Sequence, residues 1–312
     1  MEPSLPADDE MPLRPHAGDA WPQHAAPRRM LSAAERQRWA DDGCLVLPGF
    51  KPPEEVAAVR ERAAELVEAC QPAAQGGVFS TRDRARLADA ALIASATEVH
   101  GFFEEEAVDA DGRLRVERAR AINKIGHALH DRDPVFERFS RDPRLAELVH
   151  DLGVAAPQLW QSMLIFKQPR IGGEVTWHQD ATFLATEPED TVVGLWFALE
   201  DATLDNGCLW VEPGGHRGPL RERFVRDEGA PGRLHMEALD ATPWPGTDRA
   251  RPLPVPAGTL VVLHGRLPHY SAPNRSAVSR IAYTLHLTDG RTRYSPRNWL
   301  QRGADMPVRG FA

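Results

Sequence analysis

Val175-Thr176-Trp177-His178-Gln179-Asp180 follows the turn Gly172-Gly173-Glu174 and reads as a short strand that ends in two ligand-type side chains. Residues i and i+2 of a strand project to one side, so His178 and Asp180 can grip one ion. By itself the H-x-D tripeptide is a weak signal in a chain with 12 histidines. His269 and, beyond it, Arg280 raise its value. Two imidazoles and one carboxylate can cover one face of an octahedral Fe(II) and leave the opposite face open for a chelating co-substrate and O₂. An arginine near that open face can hold a carboxylate through a bidentate charge-assisted pair. The four residues together point to an oxygen-activating iron enzyme rather than a binding module.

The flanking sequence is consistent with a β-rich frame. Residues 159–166, 192–199 (VVGLWFAL), 208–211, 259–264 and 281–287 are short apolar runs with Pro and Gly thick between them. Short strands separated by turn residues indicate a sandwich or jelly roll. His269 follows the strand Leu260-Val261-Val262-Leu263, so folding has to bring it back to His178. Residues 217–256 show little periodicity and many Pro and Gly. They are too long for an ordinary connection and are expected to be an insertion or lid over the metal site.

The N-terminal half reads as helical. Ser32 with Glu35 forms a capping-box pattern ahead of a helix that stops near Gly43. Residues 44–47 are a short buried strand. Pro52 or Pro53 opens a helix in which Val56, Val59, Ala63 and Leu66 recur at helical spacing. Residues 71–77 break the pattern, and 81–96 form a polar helical segment. Residues 134–139 and 143–152 are two further helices, the second ending at Gly153. Residues 1–30, rich in Pro, Asp and Ala, are expected to be a disordered extension. The domain organisation expected is therefore that extension and one α+β domain over residues 31–312.

Composition narrows the function classes. The chain has 312 residues, 42% of them hydrophobic, ample for a sizeable core. A formal charge of −8 argues against a general nucleic-acid or anionic-membrane binder. No run approaches the length of a membrane span, and the first 30 residues lack the apolar segment of a secretory signal. Three cysteines without a CxxC spacing argue against a disulfide framework or a cysteine zinc site, and point to the cytoplasm.

The remaining histidines have quieter readings. His127 and His130 suit one helix face, but no carboxylate partner is indicated. His264 at a strand end reads as a satisfied core residue. His286, beside Tyr283, Leu285 and Leu287, reads as outward-facing or packed. Trp196 lies in an apolar strand, where core packing is the plain explanation.

Longer motifs carry more information. Ile122-Asn123-Lys124-Ile125-Gly126-His127-Ala128-Leu129-His130, Phe166-Lys167-Gln168-Pro169, His178-Gln179-Asp180-Ala181 and Pro213-Gly214-Gly215-His216 occur in that order. So do the run from Glu200 through Asn206-Gly207 to Trp210, and Ser295-Pro296-Arg297-Asn298-Trp299-Leu300. Together they resemble the phytanoyl-CoA dioxygenase family over residues 31–312. Gly215 departs from the Ser or Thr common in that family before the histidine, which concerns a local turn and not the metal site.

The resemblance implies a double-stranded β-helix, a cupin-like jelly roll with flanking N-terminal helices, that binds Fe(II) and 2-oxoglutarate. It implies His178, Asp180 and His269 as iron ligands. Arg280 and Ser271 would hold the distal carboxylate of 2-oxoglutarate, and Lys124, Met163 and Trp196 would line its pocket. The activity implied is hydroxylation of a small organic substrate by O₂ with release of succinate and CO₂, ascorbate serving as reductant. The same site supports desaturation, epimerisation or cyclisation. Asp180 disfavours halogenation, which needs the carboxylate's position open. A cupin-like metal-binding module is the alternative from another class, and Arg280 with Ser271 counts against it.

Overall fold

Ser32 and Glu35 cap the first helix reciprocally: the Glu35 N–H donates to Ser32 Oγ at 3.2 Å, and the Ser32 N–H to Glu35 Oε2 at 2.8 Å. The helix Ala33–Asp42 stops at Gly43, whose φ of 74° suits a residue without a Cβ. The computed structural model describes residues 30–70, 77–79, 89–109, 111 and 113–311. The extension expected at residues 1–30 lies outside them, apart from Met30, which packs against the core. The breaker at 71–77 falls outside them except for Gly77, as does the first half of the segment 81–96; of the second half, Asp89–Ala94 is helical.

The helix Pro53–Ala69 begins at a proline, as expected, and buries Val56, Val59, Ala63 and Val67. Two short helices, Pro134–Ser140 and Pro143–Asp151, start from Asp133 and Asp142, each of which accepts from backbone N–H groups of the first turn. None of the described helices is long and apolar enough to cross a membrane.

In chain order the strands are β1 (Cys44–Leu47), β2 (Val78–Phe79), β3 (Val99–Glu104), β4 (Ile122–His127), β5 (Pro157–Lys167), β6 (Val175–His178), β7 (Thr186–Glu187), β8 (Val193–Ala198), β9 (Leu209–Val211), β10 (Glu222–Arg226), β11 (Leu234–Ala238), β12 (Arg251–Leu253), β13 (Leu260–His264), β14 (His269–Ser271), β15 (Arg280–Asp289) and β16 (Arg293–Tyr294). The major sheet has eight strands in the order β1-β13-β8-β15-β5-β4-β3-β2. A four-stranded sheet, β12-β9-β14-β6, faces it. The fold is an α+β jelly roll of the double-stranded β-helix type.

Strand parity explains the apolar runs. Leu195 and Phe197 of β8, Leu260 and Val262 of β13, and Tyr283, Leu285 and Leu287 of β15 pack with Phe136 and Phe139 under the helices. Their neighbours Trp196, Ala198, Val261, Leu263 and Ala282 face the other way, onto Leu209, Val211 and Leu253 of the smaller sheet. A strand covered on both faces has no polar side to alternate, so its sequence reads as a continuous apolar stretch. Within residues 217–256 the chain forms the antiparallel hairpin β10–β11 and the strand β12, which pairs with β9.

Candidate metal centre

β6 ends at His178. Gln179 stays extended (φ −123°, ψ 135°) and Asp180 opens a 3₁₀ turn, Asp180–Thr182. The extended residue keeps His178 and Asp180 on one side, as strand geometry requires. β14 pairs antiparallel with β6 in a register that sets His269 opposite His178. The two imidazole rings lie 4.0 Å apart between centroids. Asp180 Oδ1 is 3.9 Å from His178 Nε2 and 3.6 Å from His269 Nε2. One ligand-type atom from each residue falls within 4.8 Å of the others, the one such group among the described residues.

Both imidazoles are oriented by backbone. His178 Nδ1 is 2.8 Å from the Thr176 carbonyl, and His269 Nδ1 is 3.0 Å from that of Leu267. A carbonyl only accepts, so each Nδ1 carries a proton, and each Nε2 is turned inward. Burial, then the neighbouring His269, pushes His178 down to about 3, so the ring is neutral at ordinary pH. Burial pushes the Asp180 carboxyl up, but the imidazoles of His286 and His269 outweigh it and hold the group below the usual carboxylate range. Two imidazole nitrogens and one carboxylate oxygen suit a divalent ion bound through a single face. Asp180 Oδ2 is buried with no hydrogen-bond partner among the described residues.

Arg280 starts β15 and is 1% exposed. Its Nη2 donates to Ser271 Oγ at 3.2 Å, and Ser271 Oγ donates to the Gly207 carbonyl at 2.8 Å. Nε and Nη1 are buried without a partner among the described residues, and the guanidinium lies 5.5 Å from the Trp196 ring centroid. Burial pushes Arg280 down to about 10, so it remains cationic. A buried cation with unused donors is costly unless an anion arrives. A cavity of about 70 Å³ is lined by His178, Asp180 and His269 and also by Ser271 and Arg280, with Met163 and Trp196 in its wall. Lys124 is not in that lining. Its Nζ stands 3.9 Å from Met163 Sδ and 3.4 Å from the Phe79 ring centroid, and burial pushes it down to about 7.

One expectation needs correction. His127 and His130 do not share a helix face: His127 ends β4, while His130 lies in the short helix Leu129–Arg132. Each bonds to a serine, His127 to Ser95 Oγ and His130 to Ser162 Oγ, both at 2.8 Å. Of the two readings of His286, outward-facing or packed, the structure has the packed one. The residue shares the inner face of β15 with Arg280, and its Nε2 is 3.3 Å from Asp180 Oδ1. The even spacing from Arg280 is the sequence signal that reveals this. Lys167 was also unforeseen. Its buried Nζ donates to the carbonyls of Gly173, Ser271 and Ala272 at 2.6, 3.0 and 2.6 Å, tying the end of β14 to β5.

The profile of the phytanoyl-CoA dioxygenase (PhyH) family matches residues 39–282. The chain is 46% identical over 272 residues to phytanoyl-CoA dioxygenase 1 of Oryza sativa subsp. japonica, covering 86% of this chain and 93% of that protein. It is 41% identical over 285 residues to phytanoyl-CoA dioxygenase domain-containing protein 1 of Mus musculus, covering 89% and 97%. Among solved structures it resembles the non-heme alpha ketoglutarate dependent carbocyclase SnoK from nogalamycin biosynthesis. That match has a TM-score of 0.61 at 19% identity, covering 91% of this chain and 99% of SnoK, a likeness of fold.

Proposed function

The chain belongs to the phytanoyl-CoA dioxygenase family, a family of 2-oxoglutarate-dependent non-haem iron dioxygenases, and from that premise we propose that it hydroxylates a small organic substrate. In the balanced reaction, substrate C–H, O₂ and 2-oxoglutarate become the alcohol, succinate and CO₂. One observation carries the reading: a single cavity joins a two-histidine, one-carboxylate face to a buried guanidinium with unused donors. A metal-binding module has no use for that guanidinium.

His178, Asp180 and His269 would hold Fe(II), their Nδ1 or backbone supports keeping the donor atoms turned inward. The chemistry an iron centre supplies is O₂ activation coupled to oxidative decarboxylation of the 2-oxo acid. Arg280 would take the distal carboxylate of 2-oxoglutarate, its unused Nε and Nη1 donors replacing water, and Ser271 would join it by turning its O–H from the Gly207 carbonyl. Met163 and Trp196 wall the cavity and exclude water from it. Lys124 stands behind Met163.

Residues 217–256 would cover the substrate side. Four contacts support this. Gln179, between two of the ligand-type residues, donates to the Pro219 carbonyl at 3.0 Å and accepts from the Arg221 N–H at 3.1 Å. Phe224 of β10 meets Phe183 at 5.9 Å, and Phe183 meets the His178 ring at 6.2 Å. The segment is thus joined to the metal-ligand turn by backbone bonds and aromatic packing.

The test is succinate. Protein supplied with Fe(II), ascorbate and 2-oxoglutarate should release it, and the release should rise when a library of small organic compounds reaches the true substrate. A metal-binding module releases none under any of these conditions.

A further inference from the structure

We infer that His286 and Gln161 form a two-residue relay that positions the Asp180 carboxylate for metal binding, with Gly194 leaving the space the carboxylate needs. The inference rests on the iron reading proposed above. β15 and β8 pair so that His286 stands opposite Gly194, and β15 and β5 so that His286 stands opposite Gln161. All three face the interior, against the turn that carries Asp180.

The proton positions follow from the partners. His286 Nε2 is 3.3 Å from Asp180 Oδ1, and an ionised carboxylate only accepts, so Nε2 carries hydrogen. In a neutral ring Nδ1 then holds a lone pair and needs a donor. Gln161 Nε2 lies 3.1 Å away and supplies it. The other end of that amide, Oε1, is buried without a partner among the described residues. Gln161 is 5% exposed and His286 6%, so water does not substitute freely for either. One chain of donors therefore runs from Gln161 through His286 to the oxygen of Asp180 that faces both ligand-type imidazoles.

Gly194 completes the arrangement. A Cβ there would stand 2.5 Å from Asp180 Oδ2 and 3.6 Å from His286 Cδ2. Any side chain would push the carboxylate off the position in which His286 holds it. His286 is thus a positioning residue, acting on the metal through Asp180, and not a fourth ligand.

The experiment measures Fe(II) affinity anaerobically by calorimetry, with the visible spectrum of the Co(II)-loaded protein as a second readout. His286→Ala should weaken Fe(II) binding roughly ten- to a hundredfold, the usual effect of losing a hydrogen-bond partner behind a metal ligand. It should also shift the Co(II) spectrum. His286→Gln keeps an N–H donor toward Asp180 and should restore both, which loss of a ligand would not permit. Gln161→Leu should weaken binding less than His286→Ala. The double variant should be no weaker than His286→Ala, since Gln161 acts only through His286. Gly194→Ala should weaken binding with His286 intact. If His286→Ala fails to fold, the His286→Gln, Gln161→Leu and Gly194→Ala proteins carry the same decision. Parent-like affinity in His286→Ala, no recovery in His286→Gln, or parent-like affinity in both Gln161→Leu and Gly194→Ala would overturn the relay. A parent chain that binds no Fe(II) would sink the functional reading and the relay together. A parent that binds Fe(II) while the variants match it would sink the relay alone.

Discussion

At the residue scale, Lys124 makes the cost of burying a charge behind Met163 measurable without a ligand. Its ordinary value is 10.5, and burial brings it to about 7 in the folded chain. Between those two values the unfolded chain holds a proton that the folded chain lacks. Stability contributed by this group therefore rises with pH across the window of about 7 to 10.5 and is lowest below it, where the charge must be buried. Lys167 is shifted the same way by burial, so the comparison must isolate Lys124. Lys124→Met should be more stable than the parent near pH 7, and that advantage should shrink as pH rises. Urea midpoints of the two proteins at several pH values measure this; a constant difference would refute it. The ligand-type residues were legible because i, i+2 spacing in a strand is local. His286 was not, because its role depends on which face of β15 carries Arg280, and the neighbouring Tyr283, Leu285 and Leu287 drew attention to the other face.

At the element scale, the longest legible strands are β5, β8, β13 and β15, read from continuous apolar runs; the short β1, β6 and β9 were legible as well. β3 and β4 escaped. β4 carries Asn123, Lys124 and Gly126 within six residues, and Gly126 lies where a Cβ would meet Met163 Cγ and the Ser162 carbonyl at 3.2 Å. A strand that needs glycine for close approach, and whose two isoleucines, Ile122 and Ile125, stand three apart, shows no alternation. The β10–β11 hairpin was hidden for a related reason: Glu222, Arg223 and Arg226 surround its apolar pair Phe224 and Val225. If this hairpin covers the substrate side, removing its tip between Arg226 and Leu234 should leave Fe(II) and 2-oxoglutarate binding close to the parent values. Succinate formation should then run ahead of substrate oxidation, because the cover no longer holds the substrate or excludes water. The ratio of the two products measures this. A ratio unchanged from the parent would reduce the hairpin to surface structure.

At the scale of the whole molecule, the site is a product of topology. His178 and His269 belong to the smaller sheet, Arg280 and His286 to the larger, and Asp180 to a turn between β6 and β7. Their long separations in sequence are closed by the β6–β14 pairing and by the facing of the two sheets. Local patterns could nominate these residues; only the long-range register brings them together. We propose that one cavity holds two separable binding functions, a metal face and a carboxylate clamp. The measurement is anaerobic calorimetry of Fe(II) followed by 2-oxoglutarate, on the parent, Asp180→Ala and Arg280→Leu. Asp180→Ala should lose Fe(II) binding. Arg280→Leu should keep it while 2-oxoglutarate affinity falls roughly ten- to a hundredfold, the loss of a charge-assisted pair worth about 1.5–3 kcal/mol. Parent-like 2-oxoglutarate affinity in Arg280→Leu, or parent-like Fe(II) affinity in Asp180→Ala, would contradict the account.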